Sequence, residues 1–361
     1  MLLRRRTRRA CRVVAAAALF TISLAGFTAP AGAAAPAVLD PNGVSVAAYG
    51  GWAAWSRLDM TTNEYALVVR SPQGAISLPA VAERVTPFDV ELGPGSAGAG
   101  GSGVAAVYSR CADSAALRGC HLVEVGLGAS AASERPLAPP GGGSNHEPAI
   151  WKNAVVFLRR DTAGGSEDQT HPGRKPDGLF AWSIGSRKLQ SLQLPVSSGN
   201  RGAGWPRGLT GLIAGLTFNG KQLGYATSNL TGVFGETTLW FEPLSGRPEL
   251  IDQETSGAGN VCEPQFVSPV LSGPWLYAYL HACDPSANVG FDRLTRYRHG
   301  EVQSARYRFI SSGDEAVTSA VPDGTGADWD ANGVQRLVTV SWRKIAAPIA
   351  QTFCSRPDPF C

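Results

Sequence analysis

Helical periodicity is missing from this sequence beyond its first thirty-odd residues, which counts against any fold built from helices. Charge is sparse as well. Charged residues make up 17% of the chain, below the ~25% of ordinary domains, so long solvated helices have little material. Histidine is scarce, with five in 361 residues, and no Cys-x-x-Cys pair occurs. Structural zinc sites therefore lack their usual spacing. No apolar run reaches the ~20 residues that a membrane-spanning helix needs. Gly-x-Ser-x-Gly is absent too, which removes the nucleophile elbow of serine hydrolases.

What is present begins with MLLRRRTRRACRVVAAAALFTISLAGFTAPAGAAAPAV. Six arginines precede an apolar run from Val13 to Phe27, and small residues follow at Ala31–Ala33. That layout is a secretory signal peptide over residues 1–33. Thr7-Arg8-Arg9 hints at twin-arginine export, although Cys11 and Arg12 fit general secretion better. Six of the 32 basic residues lie in this segment and all 29 acidic ones lie after it. The mature charge therefore turns from +3 to −3, and a nucleic-acid partner is not expected.

Six cysteines follow the signal: Cys111, Cys120, Cys262, Cys283, Cys354 and Cys361. An even count in an exported chain reads as three disulfides. With 43 glycines and 25 prolines, the composition suits many short strands joined by turns.

A four-strand pattern then recurs. The first unit runs through VSVAAY, WAAWSR, YALVVR and AISLP, and the third through EPAIW, AVVFLRR, LFAWSI and LQSLQLP. First strands begin near residues 44, 87, 147, 212, 265 and 316. A polar turn such as SPQG, GSRK or LSGR separates the third and fourth strands. Four-stranded units at this period mean an all-β chain folded as a β-propeller. Six blades fit best, and five or seven stay open. The last unit has room for three strands, so residues 36–42 or 345–353 are expected to supply a fourth. The propeller is assigned to residues 34–353 and a disulfide-closed tail to 354–361. Strand ends pair Cys111 with Cys120 and Cys262 with Cys283, which leaves Cys354 with Cys361.

The run EPAIWKNAVVFLRRD…DGLFAWSI resembles the repeat of TolB-type propellers, and PFDVELGP followed by VAAVYSRC resembles exported actinobacterial propellers without an assigned activity. Trp151-Lys152-Asn153 and Asn219-Gly220-Lys221 stand where that family usually has Ser-Pro-Asp-Gly. The resemblance implies a six-bladed fold and carries no catalytic residue with it.

Three side chains are candidates for ligand binding at the ring's axis. Asp89 and Glu91 share one face of a strand, about 6.5–7 Å apart. That separation falls in the rough range of an inverting glycosidase pair, but any Asp-x-Glu strand has it, and hydrogen bonding within the blades is the plainer role. His146 opens an inner strand together with Glu147. Asp328, Asp330 and Asn332 supply calcium-loop oxygens at positions 1, 3 and 5, yet position 12 is Thr339 rather than an acid. Asn332-Gly333 is equally a hairpin turn. Neither metal nor cofactor is expected.

The function expected from these residues is a secreted, non-catalytic, monomeric propeller that binds an extracellular protein or cell-envelope glycan. The alternative is an extracellular polysaccharide hydrolase or lyase that uses axis-facing acids. Fold alone does not decide between them.

Overall fold

The strands of this chain are apolar at successive positions rather than at alternate ones, so both of their faces must be covered. VAAVYSR (104–110) shows how. Val104, Ala106 and Tyr108 pack into one core with Ala47, Ala54 and Leu67 of the preceding sheet. Val107 goes the other way, packing with Ile150, Val155 and Phe157 of the following sheet. A strand's period of two thus feeds two neighbouring interfaces, and sheets stack face to face.

The computed structural model describes residues 37–40, 43–97, 103–114, 117–128, 133–160, 177–192, 212–231, 234–256, 265–272, 275–284, 289–298, 301–307, 325–329 and 335–339. All of them belong to the larger of the chain's two compact units, Pro36–Cys361. The signal-peptide, tail, Cys262, Cys354 and Cys361 expectations fall outside these residues.

After a short strand β1 (Ala37–Asp40), the first sheet is β2 (Gly43–Tyr49), β3 (Trp52–Asp59), β4 (Glu64–Arg70) and β5 (Ile76–Ser77). The second is β6 (Glu91–Pro94), β7 (Val104–Arg110), β8 (His121–Gly126) and β9 (Arg135–Leu137). The third is β10 (Ser144–Trp151), β11 (Ala154–Arg160), β12 (Gly178–Ser183) and β13 (Leu189–Ser191). The fourth is β14 (Leu212–Phe218), β15 (Gln222–Thr231), β16 (Phe234–Pro243) and β17 (Glu249–Ser256). The fifth is β18 (Gln265–Ser272), β19 (Trp275–Asp284), β20 (Val289–Arg298) and β21 (Glu301–Tyr307). Each of these is a four-stranded antiparallel meander in chain order. A further sheet joins β22 (Thr325–Trp329) and β23 (Gln335–Thr339) to β1, in the order β1-β23-β22. The fold is all-β and a β-propeller.

First strands neighbour first strands: β2 lies against β6, β10 against both β6 and β14, and β14 against β18. On the other side β2 meets β22 and β23. The N-terminal strand thus completes the C-terminal sheet, with Val38 opposite Val338. Asp40 links that sheet to the first one, since its Oδ2 accepts Trp55 Nε1 at 2.7 Å and Arg57 Nε at 2.6 Å. Between the sheets lie separate cores, with the third and fourth sheets meeting through Val156, Leu158, Phe218 and Tyr225. Fully burying each such side chain is worth ~1.5–3 kcal/mol.

The turns follow the sequence chemistry. In Ser71-Pro72-Gln73-Gly74 the Gly74 N–H donates to Ser71 O at 2.9 Å, with proline's fixed φ at the second position. The strand expected to open near residue 316 lies outside the described residues, and the described first strand of that sheet is β22. Asp328 sits on β22 opposite Arg336, within a β22–β23 hairpin. Asp330 and Asn332 of the calcium candidate lie outside the described residues.

Candidate functional site

Inner strands carry a repeated irregularity. β2 is bulged between Val44 and Ala47, β10 between His146 and Ala149, β14 between Ile213 and Gly215, and β18 between Val267 and Val270. Each inserts one extra residue opposite its partner strand, which bends the strand and re-aims a side chain. Proline explains two of them. Pro148 and Pro269 have no N–H to give a ladder, so a bulge is where such a strand tolerates them. At the β10 bulge Glu147 adopts φ 47° and at the β2 bulge Ser45 adopts φ 53°. These left-handed values are uncommon for residues with a Cβ and need outside support.

Asp89 supplies that support for Glu147. Its Oδ2 accepts the Glu147 N–H at 3.0 Å and the Ser109 hydroxyl at 2.6 Å. Its Oδ1 accepts the Ser109 N–H at 3.0 Å and faces the Arg84 guanidinium at 3.3 Å. Four donors therefore converge on one carboxylate. Arg84 itself is fixed by the carbonyls of Thr86, Pro87 and Ser109 and lies 4.6 Å from the Phe88 ring centroid. Burial raises the Asp89 pKa, but the Arg84 charge and the three hydrogen bonds outweigh it, so Asp89 is held below the usual carboxylate range.

This arrangement revises the strand expected at 87–92. β6 begins only at Glu91, because the Asp89 side chain, rather than its backbone, takes the Ser109 N–H. Asp89 and Glu91 are thus not equivalent members of a pair. Asp89 ties the second sheet to the third, and Glu91 faces other partners.

The Thr217 side chain of β14 lies close enough to Glu91 to lower its pKa, and β10 packs against both β6 and β14. The Thr217 hydroxyl accepts the Leu271 N–H of the fifth sheet at 3.2 Å. Burial, with the Glu147 charge adding to it, pushes the Glu91 pKa up to about 8 against the lowering effect of Thr217. Glu147 rises to about 7, mainly through burial and then through Asp89; His146 and Arg84 pull the other way. Of the Asp89–Glu147 pair, Asp89 keeps the charge and Glu147 keeps a proton to near neutral pH. Close approach of β6 and β10 is secured by Gly93, where a Cβ would stand 2.0 Å from Ile150 O.

His146 is placed differently from the axial role expected of it. Its side chain is 3% exposed and its Nε2 pairs with Asp177 at 2.9 Å. Asp177 also meets Arg160 at 3.3 Å. The bulge separates the fates of neighbours, sending His146 to the end of β11 and leaving Glu147 among the acids. Glu147, not His146, joins Glu91. The signal for this was Pro148. Among the described residues no group of three or more His, Cys, Asp or Glu side chains is placed to hold a metal ion.

Cys111 and Cys120 form a disulfide between the end of β7 and the start of β8. The loop it closes packs on the start of β10. Ser144 Oγ accepts the Cys120 N–H at 2.8 Å and donates to Leu117 O at 2.6 Å, while the Asn145 N–H donates to Cys120 O at 2.9 Å.

Comparison with protein-family models and with curated proteins finds no match. Among solved structures, the chain is similar to the β-propeller domain of the Trilobed protease from Pyrococcus furiosus, at 9% identity and a TM-score of 0.43, covering 83% of this chain and 95% of that one. It is also similar to Pyrococcus horikoshii acylaminoacyl peptidase, at 8% identity and a TM-score of 0.37, covering 83% of this chain and 53% of that one. Synechocystis apocarotenoid oxygenase matches at 14% identity and a TM-score of 0.41, covering 82% of this chain and 68% of that one. The chain thus spans about half of the peptidase.

Proposed function

We propose that the chain, once freed of residues 1–33, is an exported, monomeric, TolB-like propeller of six blades that binds a hydroxyl-rich cell-envelope glycan at its axis without altering it. The three-stranded sheet is the sixth blade in this reading. The observation that carries the function is the Glu91–Glu147–Thr217 cluster. Glu91 and Glu147 hold their protons to about pH 8 and 7, so they offer donors and acceptors with little net charge. That suits sugar hydroxyls better than a cation. Asp89, with four donors on its two oxygens, is a support for this cluster rather than a reacting group.

The test is a glycan-array screen of the mature protein beside Glu91→Ala, Glu147→Ala and the two Glu→Gln variants. The amide replaces the carboxyl's donor and acceptor, so the Gln variants bind at pH 7 and the Ala variants do not. Glycan binding that survives both Ala changes would sink this proposal. A pull-down that recovers a protein, with no glycan bound, would move the ligand to the other expected class.

A second reading, a polysaccharide hydrolase or lyase, is favoured by one observation. Two carboxyls poised near neutral pH are the condition for general acid–base work. Release of reducing ends from a bound glycan, lost in both Gln variants, would establish it in place of simple binding.

A further inference from the structure

Several partly buried arginines among the described residues face a carboxylate. Arg84 meets Asp89, Arg110 meets Glu134, Arg135 meets Glu124 and Arg160 meets Asp177. Arg159 does not. Its guanidinium lies across the stacked rings of Phe157 and Phe180, with Cζ 5.3 and 5.0 Å from their centroids. Nε donates to Asn145 Oδ1 at 2.7 Å and Nη1 to Pro140 O at 3.0 Å. Nη2 is buried and donates to nothing among the described residues. A charged donor left unsatisfied away from water is costly, and it calls for an acceptor.

The wall beside it is made of backbone. Gly141 and Gly143 have φ values of 96° and 115°. A Cβ at Gly141 would come within 2.7 Å of Arg159 Nη1, and one at Gly143 within 2.9 Å of Arg159 Cγ and 2.8 Å of Arg160 O. Only glycine lets this turn lie on the arginine. A Cβ at Gly142, in contrast, would meet nothing within 4 Å. Among the described residues the N–H groups of Gly141, Gly142 and Gly143 have no acceptor. Successive free N–H groups in such a turn form an anion-binding nest, and here they adjoin a cation with a free nitrogen.

We propose that Arg159 and the Gly141–Gly143 turn form a binding site for an oxyanion, the carboxylate, sulfate or phosphate group of a ligand. One anionic oxygen satisfies Nη2 and the glycine N–H groups together, with the charge assistance that such bonds gain from guanidinium. Nη2 is closed from solvent, and the turn that lies along the same side chain carries no side chains of its own. The site is braced, because Asn145 fixes Nε and the Cys111–Cys120 loop fixes Ser144 and Asn145. It stands apart from the axial acids and does not depend on the glycan reading.

The experiment is calorimetric titration of the mature protein with sodium acetate, sulfate and phosphate, against chloride at constant ionic strength. Saturable binding of at least one anion is expected, weakened about tenfold or more by Arg159→Gln and unchanged by Lys188→Gln, an exposed cation outside the site. The preferred anion distinguishes a planar carboxylate from a tetrahedral group. Gly142→Ala should bind as the wild type does. Gly142→Asp should abolish binding and raise Tm, because its own carboxylate occupies the nest. These two variants decide the matter if Arg159→Gln fails to fold. Absence of saturable binding by the wild-type protein, or equal binding by Gly142→Asp, overturns the proposal.

Discussion

The Asp89 carboxylate accepts the backbone N–H of Glu147 at 3.0 Å, and this bond holds the β10 bulge in the left-handed conformation that sets the Glu147 side chain beside Asp89 and Glu91. Because Asp89 also takes Arg84 and Ser109, its removal strands three sets of donors at once. Asp89→Asn is expected to destabilise the fold by roughly 2–4 kcal/mol, since an amide presents a donor where only acceptors fit and leaves Arg84 uncompensated. The pH dependence has a definite sign. Asp89 is depressed in the folded state, so its contribution is present above the unfolded carboxylate pKa and is lost as pH falls through the folded one. Urea unfolding at neutral and acid pH should show the gap between wild type and Asp89→Asn shrinking below about pH 4.

Glu91 and Glu147 have the opposite sign. Their folded pKa values, about 8 and about 7, lie above the ordinary 4.5. Their contribution is complete below about pH 4.5 and is lost as pH rises through 7 to 8. Glu91→Gln and Glu147→Gln should therefore raise stability at pH 8, by about 1–3 kcal/mol, and leave it unchanged at pH 4. Thermal unfolding across that range measures it. Tm rising equally at both ends would disconnect the effect from protonation.

Glu242 provides the same test away from the axis. It lies on β16 and accepts the Tyr225 hydroxyl at 3.1 Å, and burial pushes it up to about 7 despite that bond. Glu242→Gln should flatten the alkaline loss of Tm without changing ligand binding. A binding defect in this variant would show that the axial cluster is coupled to the blade interior.

The blades were legible in the sequence because their driving force is local. AVVFLRR and VAAVYSR are buried on both faces, so they read as unbroken apolar runs bounded by turn residues, and SPQG closes a turn as proline and glycine direct. The candidate site was only half legible. Alternation places Glu91 on an inner strand, but it cannot place Glu147, because period-two reasoning fails across a bulge. Glu147-Pro148 and Ser268-Pro269, at matching positions of β10 and β18, were the written sign of that bulge. Partners such as Asp89–Glu147 and Glu91–Thr217 join separate sheets, and no short-range pattern encodes them. The same is true of Asp177, which claims His146 from across a loop.

Pairing of β1 with β23 makes a prediction about Asp40. It is buried, and one of its oxygens binds both Trp55 Nε1 and Arg57 Nε. Asp40→Ala should cost about 2–4 kcal/mol by leaving the indole N–H of a fully buried tryptophan without an acceptor. Asp40→Asn should cost less, since its carbonyl oxygen still accepts. Urea unfolding followed by circular dichroism measures both. A wild-type midpoint for Asp40→Ala would mean that the ladder to β23 alone holds β1.

The Cys111–Cys120 bridge spans a sequence separation of nine residues, so the loop entropy it removes from the unfolded chain is worth about 2–3 kcal/mol. The larger consequence is positional. Leu117 O and the Cys120 backbone grip Ser144 and Asn145, and Asn145 in turn holds Arg159. The Cys111→Ser/Cys120→Ser double variant should therefore lose stability and also weaken oxyanion binding, while glycan binding at Glu91 and Glu147 persists. Adding a reductant to the wild-type protein should reproduce both effects. Losses of equal size at the two sites would instead mean that the bridge acts only through global stability.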